Sequence, residues 1–265
     1  MKNHTSYYDN QSYCNNCHSY SHTFRECPDP IYSHGILCYK GTFPDIKYIF
    51  IRRKQSFAFT DFVRARYRPG DEQYILFLLS RMTIEEHSIL RDLTFQEVWK
   101  IMWAESYKRH IKEMDSCKTH FLGSMKLKSV QDVLKDNKTE FLESEYGIPK
   151  GKAFSRETAL DCAKREFTEE TNISCDDIVF EEIEPFKESH TAFNGKTYIS
   201  IYYLAKFVGE SDELYLEPTN LSQITEIDKI GWYSFEECIN LCRSYYTEKM
   251  MCLIKANRYI RQIKN

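Results

Sequence analysis

Glycine and proline are scarce in this chain of 265 residues, at 9 and 7. That scarcity excludes collagen-like and Pro/Gly-rich low-complexity architectures. Long apolar runs are missing: none approaches the roughly 18 residues of a membrane-spanning helix. The polar N-terminus has no apolar core of a secretory leader, so none is expected. Net charge is also nearly absent. Lys and Arg total 36 against 39 Asp and Glu, leaving −3, which by itself does not advertise a partner for nucleic acid. Cysteine, in contrast, is plentiful at 10. Spread along a long chain without a leader, these residues read as reduced thiols rather than a disulfide scaffold. Hydrophobic residues at 42% and aromatics at 15% suffice for a packed core, in one large domain or two small ones.

Three of the cysteines crowd into the N-terminal segment. Cys14, Cys17, His22 and Cys27 give C-x2-C-x4-H-x4-C, and three thiolates with one imidazole are a tetrahedral Zn²⁺ set. His18 is a competing ligand. Pro28 and Pro30 then mark a boundary, so 1–30 is expected to be a small metal-dependent module. The spacing resembles the retroviral zinc knuckle. That resemblance implies contact with single-stranded RNA, with Tyr20 or Phe24 to stack on a base.

From Ser33 the text becomes strand-like, with 36–39 and 47–52 as the first strands. Helical spacing follows through 71–115, where Thr83 can cap a helix, and again in 129–143. After a loop at 147–151 comes a helix over 155–171, capped by Ser155. Strands are expected at 177–184, 197–208 and 229–234, then one or two helices over 235–263. The order predicts a mixed α/β layer structure with a helical insertion at about 70–145.

In the 155–171 helix, Ala159, Cys162, Ala163 and Phe167 make the apolar stripe. Glu166, Glu169 and Glu170, at i, i+3 and i+4, put three carboxylates on one face. Like charges at this spacing repel, and a hard divalent cation relieves the repulsion. Arg165 can pair with Glu157. The pattern Gly151, five residues, Glu157, seven residues, then Arg165-Glu166-Phe167-x-Glu169-Glu170-x-Asn172-Ile173 closely resembles the Nudix box. One position departs, with Asn172 standing where the family has Gly. The resemblance implies an α/β/α sandwich and Mg²⁺- or Mn²⁺-dependent cleavage of a diphosphate linked to another moiety. It assigns Glu166, Glu169 and Glu170 to metal, and Gly151, Glu157 and Arg165 to structural support.

The preceding Pro149-Lys150-Gly151-Lys152 is similar to a segment of the mRNA-decapping branch of that family, where Lys150 and Lys152 would contact phosphates. Thr225 to Trp232 also looks like that branch, whose glutamate matching Glu226 acts in catalysis. Trp232 reads as core. With Phe62 to Tyr67 and the helical insertion, the arrangement resembles decapping enzymes of large cytoplasmic DNA viruses. Residues 31–265 would form the Nudix domain. Basic residues gather at 106–128 and in the final helix, with Arg243, Lys249, Lys255, Arg258, Arg261 and Lys264, a face suited to a polyanion on which Lys255 and Arg258 are the candidate contacts. The expected activity is cleavage of the 5′ cap triphosphate bridge of capped RNA in the host cytoplasm. Rival readings are a Nudix hydrolase of nucleotide sugars, dinucleoside polyphosphates or diphosphoinositol polyphosphates, and a non-catalytic RNA-binding protein.

Overall fold

Alternation with a period of two builds a sheet in the computed structural model, which describes residues 13–14, 16–17, 19–23, 26–154, 156–192 and 195–263. Strand β1 (Ile31–Lys40) runs parallel to β7 (Thr197–Phe207), from Ile31 opposite Tyr198 to Tyr39 opposite Lys206. Strand β2 (Lys47–Arg53) returns antiparallel to β1 and pairs along its other edge with β8 (Ile227–Ser234). The short β3 (Tyr146–Gly147) joins β2, and β4 (Lys150–Gly151) joins the start of β1. Strands β5 (Ile178–Phe180) and β6 (Phe186–Thr191) share the far edge of β7.

The central strands β1, β2 and β7 bury both faces, as side chains alternate across the sheet. Leu37, Tyr39, Tyr48, Phe50, Tyr202 and Leu204 face one way and pack with Cys252, Leu253, Ala256 and Ile260 of the last helix. Ile36, Cys38, Ile49, Ala205 and Phe207 face the other way, against Ala163 and Phe167. One helix, α7 (Ala159–Thr171), therefore covers one face, while α9 (Phe235–Leu241) and α10 (Thr247–Ile263) cover the other. The result is an α/β/α sandwich.

Between β2 and β3 the chain leaves the sheet and forms six α-helices, α1 (Phe57–Val63), α2 (Glu72–Arg81), α3 (Ile84–Asp92), α4 (Phe95–Trp103), α5 (Ile111–Met125) and α6 (Lys128–Lys135), with a 3-10 helix (Ala104–His110) between α4 and α5. Phe59, Phe62, Leu79, Trp99, Phe121 and Val130 make a separate core for them. Their starts are written locally. Ser56 and Asp71 cap α1 and α2, while Thr83 with Glu86 and Thr94 with Glu97 form capping boxes on α3 and α4. The neck is narrow. Arg53 N–H donates to Glu145 O at 3.0 Å, and the buried Glu145 carboxylate pairs with the buried Arg243 at 3.1 Å. Arg243 also donates to the carbonyls of Arg81 (2.6 Å) and Glu143 (3.0 Å), so it ties the insertion to the sandwich.

Several expected boundaries move. The helix expected over 129–143 stops at Lys135, because Asn137 turns left-handed with φ of 47°. Phe141 then bridges to Thr83, and Leu142 is exposed. Helix α7 begins at Ala159 with Thr158 as its cap. Ser155, the expected cap, lies outside the described residues, as do His18 and Phe24. The 147–151 loop holds part of β3 and all of β4. Strand β6 and a short helix α8 (Leu221–Glu226) were not anticipated. The sequence FKESHT of β6 alternates poorly, because only Glu188 on it is buried.

Candidate active site

The site grows from the junction of β4 with α7. Close approach makes the junction possible: a Cβ at Gly35 of β1 would overlap the Pro149 carbonyl, and one at Gly151 would overlap the Glu166 carboxylate. Glycine at 151 therefore leaves the space that Glu166 fills. Glu170, buried at the end of α7, accepts the Lys150 backbone N–H at 2.9 Å. Arg165 organises the rest. It binds Glu157 through two bonds of 2.8 and 3.0 Å, Glu166 at 2.7 Å, Glu169 at 3.1 Å and the Lys152 carbonyl at 3.0 Å. Its guanidinium lies 3.9 Å from the Phe154 ring centroid. The expected Arg165–Glu157 pair is present, and Arg165 takes two more carboxylates than expected.

Electrostatics single out Glu170. Burial pushes its carboxyl well above the ordinary value, and the charges of Glu226 and Glu166 add to the shift. Glu166 is raised for the same first reason, against the pull of Arg165. Glu226, at the exposed end of α8, thus sits close enough to act on both. A cluster of hard oxygen donors that resists ionising together fits Mg²⁺ or Mn²⁺. Among the described residues no three carboxylates bring one oxygen each within 4.8 Å of one another. Arg165 bridges Glu166 and Glu169, while Glu170 turns to the Lys150 amide.

The C-terminal end of α7 is clamped by residues that sequence reasoning missed. Asn172 adopts φ of 60° and ψ of 11°, the left-handed conformation usually left to glycine. Its side chain donates to Gln223 Oε1 at 2.9 Å and accepts from Asn220 at 2.7 Å. The fully buried Gln223 also donates to the Glu170 carbonyl at 2.9 Å. Asn220 reaches the Glu169 carbonyl at 2.9 Å. Segment 220–226 thereby carries Glu226 to the carboxylate helix.

A cleft of about 380 Å³ is walled by Phe57, Tyr74 and Phe77 of the insertion and by His190, Tyr245 and Tyr246 of the sandwich, and it shares Phe57 and Glu145 with a smaller cavity that Glu170 lines. Arg81 lies 3.9 Å from the Tyr245 ring centroid. Lys150 is held among Arg53, Lys249 and Glu188. Burial, above all, lowers its ammonium pKa. Lys152 is exposed, yet the surrounding protein and the charges of Arg66 and Lys150 bring its ammonium down to about 8. Trp232 packs on Phe207 with ring centroids 5.5 Å apart and donates to the Asp212 carbonyl at 2.8 Å. It is a packing residue away from the cleft, as expected.

On α10 the expected basic face shrinks. Lys255, Arg258 and Arg261 are exposed along the outer side. Arg243 precedes the helix and is buried with Glu145, and Lys249 is only 4% exposed. Lys249 had a legible signal. It precedes Cys252, Leu253, Ala256 and Ile260 at helical spacing, so it is a lysine on the core-facing stripe. Arg53 carried none.

At the N-terminus, one ligand atom each from Cys14, Cys17, His22 and Cys27 falls within 4.8 Å of the others. Cys17 Sγ lies 3.3 Å from His22 Nε2, and Asn16 donates to Cys27 Sγ at 3.2 Å. Burial raises the Cys27 thiol, but hydrogen bonds from Asn16 and His22 outweigh it and bring the thiol to about 6. Four soft and borderline donors at this separation fit Zn²⁺. Tyr20 is exposed, its ring 5.0 Å from that of Tyr13.

Comparison with known proteins decides the family. The profile described as NUDIX domain matches residues 130–249. The mRNA-decapping protein g5R of African swine fever virus is 32% identical over 200 residues, covering 72% of this chain and 79% of that protein. The chain belongs to the Nudix hydrolase family. A protein of Acanthamoeba polyphaga mimivirus named for mRNA decapping is 27% identical over 241 residues, covering 81% of this chain and 66% of that one. Among solved structures, a Caenorhabditis elegans Ap4A hydrolase binary complex superposes with a TM-score of 0.46 at 15% identity, over 87% of this chain and 98% of that one. Residues 151–173, which resemble the Nudix box, lie inside the matched segment, with Asn172 in the left-handed turn. Nudix hydrolases use divalent metals such as Mg²⁺ or Mn²⁺, and the Glu166, Glu169, Glu170 and Glu226 carboxylates are of the right chemistry to hold one.

Proposed function

We propose that this Nudix hydrolase cleaves the 5′ cap triphosphate bridge of capped RNA, releasing a methylated nucleoside diphosphate and 5′-monophosphate RNA. The observation that carries the reading is an aromatic cleft, walled by the helical insertion, that shares Phe57 and Glu145 with a small cavity lined by Glu170 of the carboxylate helix. A purine base suits such walls, through stacking on Phe and Tyr rings. The viral relatives named for decapping support the same substrate. We place the action in the host cytoplasm, where such RNA is translated.

Glu166, Glu169 and Glu170, with Glu226, would hold Mg²⁺ or Mn²⁺. Bound metal neutralises charge that builds on phosphate oxygens as water attacks phosphorus. To Glu226, exposed and next to the cluster, falls the proton of the attacking water. Gly151, Glu157 and Arg165 keep the box in shape. Lys150 and Lys152 contact the polyphosphate, while Lys255 and Arg258 hold the RNA body. Residues 1–30 act as a zinc knuckle on single-stranded RNA, and 31–265 as the Nudix domain with its insertion.

Incubation of cap-labelled RNA with Mn²⁺, followed by identification of the released nucleotide, tests the reaction. Glu169→Gln and Glu170→Gln should each lose roughly 10²–10⁴ in turnover, about 3–5 kcal/mol of transition-state stabilisation, with RNA binding nearly unchanged. Wild-type turnover in both variants under Mg²⁺ would remove the metal assignment. Metal analysis should find about one equivalent of zinc, lost in the Cys14→Ser/Cys17→Ser double variant. A double variant that keeps its zinc would sink the knuckle.

A further inference from the structure

Next to Glu170 a cavity of about 30 Å³ is lined by Arg53, Phe57, Glu145, Gly147, Lys150 and Lys249. Phe57 and Glu145 also line the aromatic cleft, so the cavity is a recess of it. Three cations therefore face one small space. Among the described residues none of the three has a carboxylate oxygen within 4.0 Å of its charged nitrogens, although Arg165 and Arg243 elsewhere do. The carboxylates nearby are already engaged. Glu145 is bound to Arg243 and to the Phe57 N–H, Glu188 accepts from Tyr202 at 2.9 Å, and Glu170 accepts from the Lys150 N–H.

Lys249 is the extreme case. It is 4% exposed, with its ammonium 4.2 Å from the Tyr246 ring centroid and no carboxylate partner. Gly147 leaves it room: a Cβ there would stand 3.3 Å from Nζ. Arg53 makes one long bond, to the Gln55 carbonyl at 3.3 Å, and lies 4.2 Å from the Phe57 ring centroid. A buried cation without a counter-charge is costly, and three around one recess repel one another. An entering anion reverses both penalties. The recess admits a phosphate oxygen rather than a whole phosphate, so the rest of the group would stay in the cleft beside Glu170.

We propose that Lys249, with Arg53 beside it, is a further substrate-binding group that takes a non-bridging oxygen of the substrate's polyphosphate in this recess. The proposal rests on Nudix chemistry and not on the cap. It assigns the start of α10 to the reacting phosphates and the exposed outer side of that helix to the body of a longer substrate. Lys249 thereby differs in kind from Lys255 and Arg258.

Inorganic pyrophosphate, as a competitive inhibitor in Mg²⁺, is the probe. Lys249→Met should raise its inhibition constant on the order of 100-fold, whatever substrate reports the activity. Lys249→Arg should restore most of the affinity. Thermal unfolding without ligand should leave Lys249→Met at or above the wild-type midpoint, since an apolar side chain replaces a buried unpaired charge. The midpoint rise that pyrophosphate gives the wild type should vanish. A Lys249→Met protein that melts lower yet keeps its pyrophosphate inhibition would overturn the proposal, leaving Lys249 a packing residue. Should Lys249→Met not fold, Arg53→Gln decides: at least a tenfold weaker inhibition sustains the site, and unchanged inhibition refutes it. Failure on capped RNA with intact pyrophosphate inhibition would count against decapping alone.

Discussion

Asn172 occupies the one place where the box departs from its family pattern, and its surroundings explain why the departure is tolerated. A non-glycine residue in the left-handed region pays about 1–2 kcal/mol. Two side-chain hydrogen bonds, to Gln223 and from Asn220, offset that, and glycine could make neither. Lys152 shows the opposite kind of residue effect, in which neighbours reshape a charge. With its ammonium brought down to about 8, it is cationic below that pH and loses its charge as pH rises through it. Affinity for an anionic substrate should fall on the same limb. The pH profile of kcat/KM is expected to decline above about 8 in the wild type, and Lys152→Arg should move that decline upward, because guanidinium stays charged. Superimposable profiles would take Lys152 out of the site.

At the scale of elements, what was legible in the sequence was what local chemistry writes. The apolar run in β1, the alternation in β2, the Thr83 cap, the apolar stripe of α7 and the carboxylate spacing on its other side all follow from neighbours in the chain. What was not legible depends on partners far away. Strand β6 pairs with β7 although its own residues are mostly polar. Helix α8 exists because Gln223 and Asn220 clamp α7. Arg243 reads as one more cation of a basic helix, yet its partner Glu145 lies on the other side of the neck. Breaking this pair should be severe. Arg243→Met leaves Glu145 buried without a counter-charge and should cost about 3–5 kcal/mol in urea unfolding. Adding Glu145→Gln should recover part of the loss. Equal stability of Arg243→Met and wild type would mean that the pair does not hold the insertion in place.

For the whole molecule, a net charge of −3 is an average over segregated parts. Carboxylates gather on α7, buried and half-buried cations line the recess, and exposed cations run along the outer side of α10. Reversing the last group, with Lys255→Glu and Arg258→Glu, should weaken binding of long RNA. Its salt dependence should flatten by about one unit of slope for each phosphate that is no longer neutralised. Hydrolysis of a cap dinucleotide should hardly change. An unaltered salt slope would place the RNA path elsewhere. The neck between Arg53 and Glu145 has a kinetic consequence. About ninety residues separate β2 from β3, and closing so long a flexible loop would cost on the order of 4 kcal/mol in chain entropy. A helical unit that folds by itself first brings its two ends together and removes most of that cost. The order of events is then set by topology: the insertion matures early, and the strands that flank the catalytic loop zip up afterwards. Slow or faulty folding of a distant helix would then surface as a sheet that assembles late.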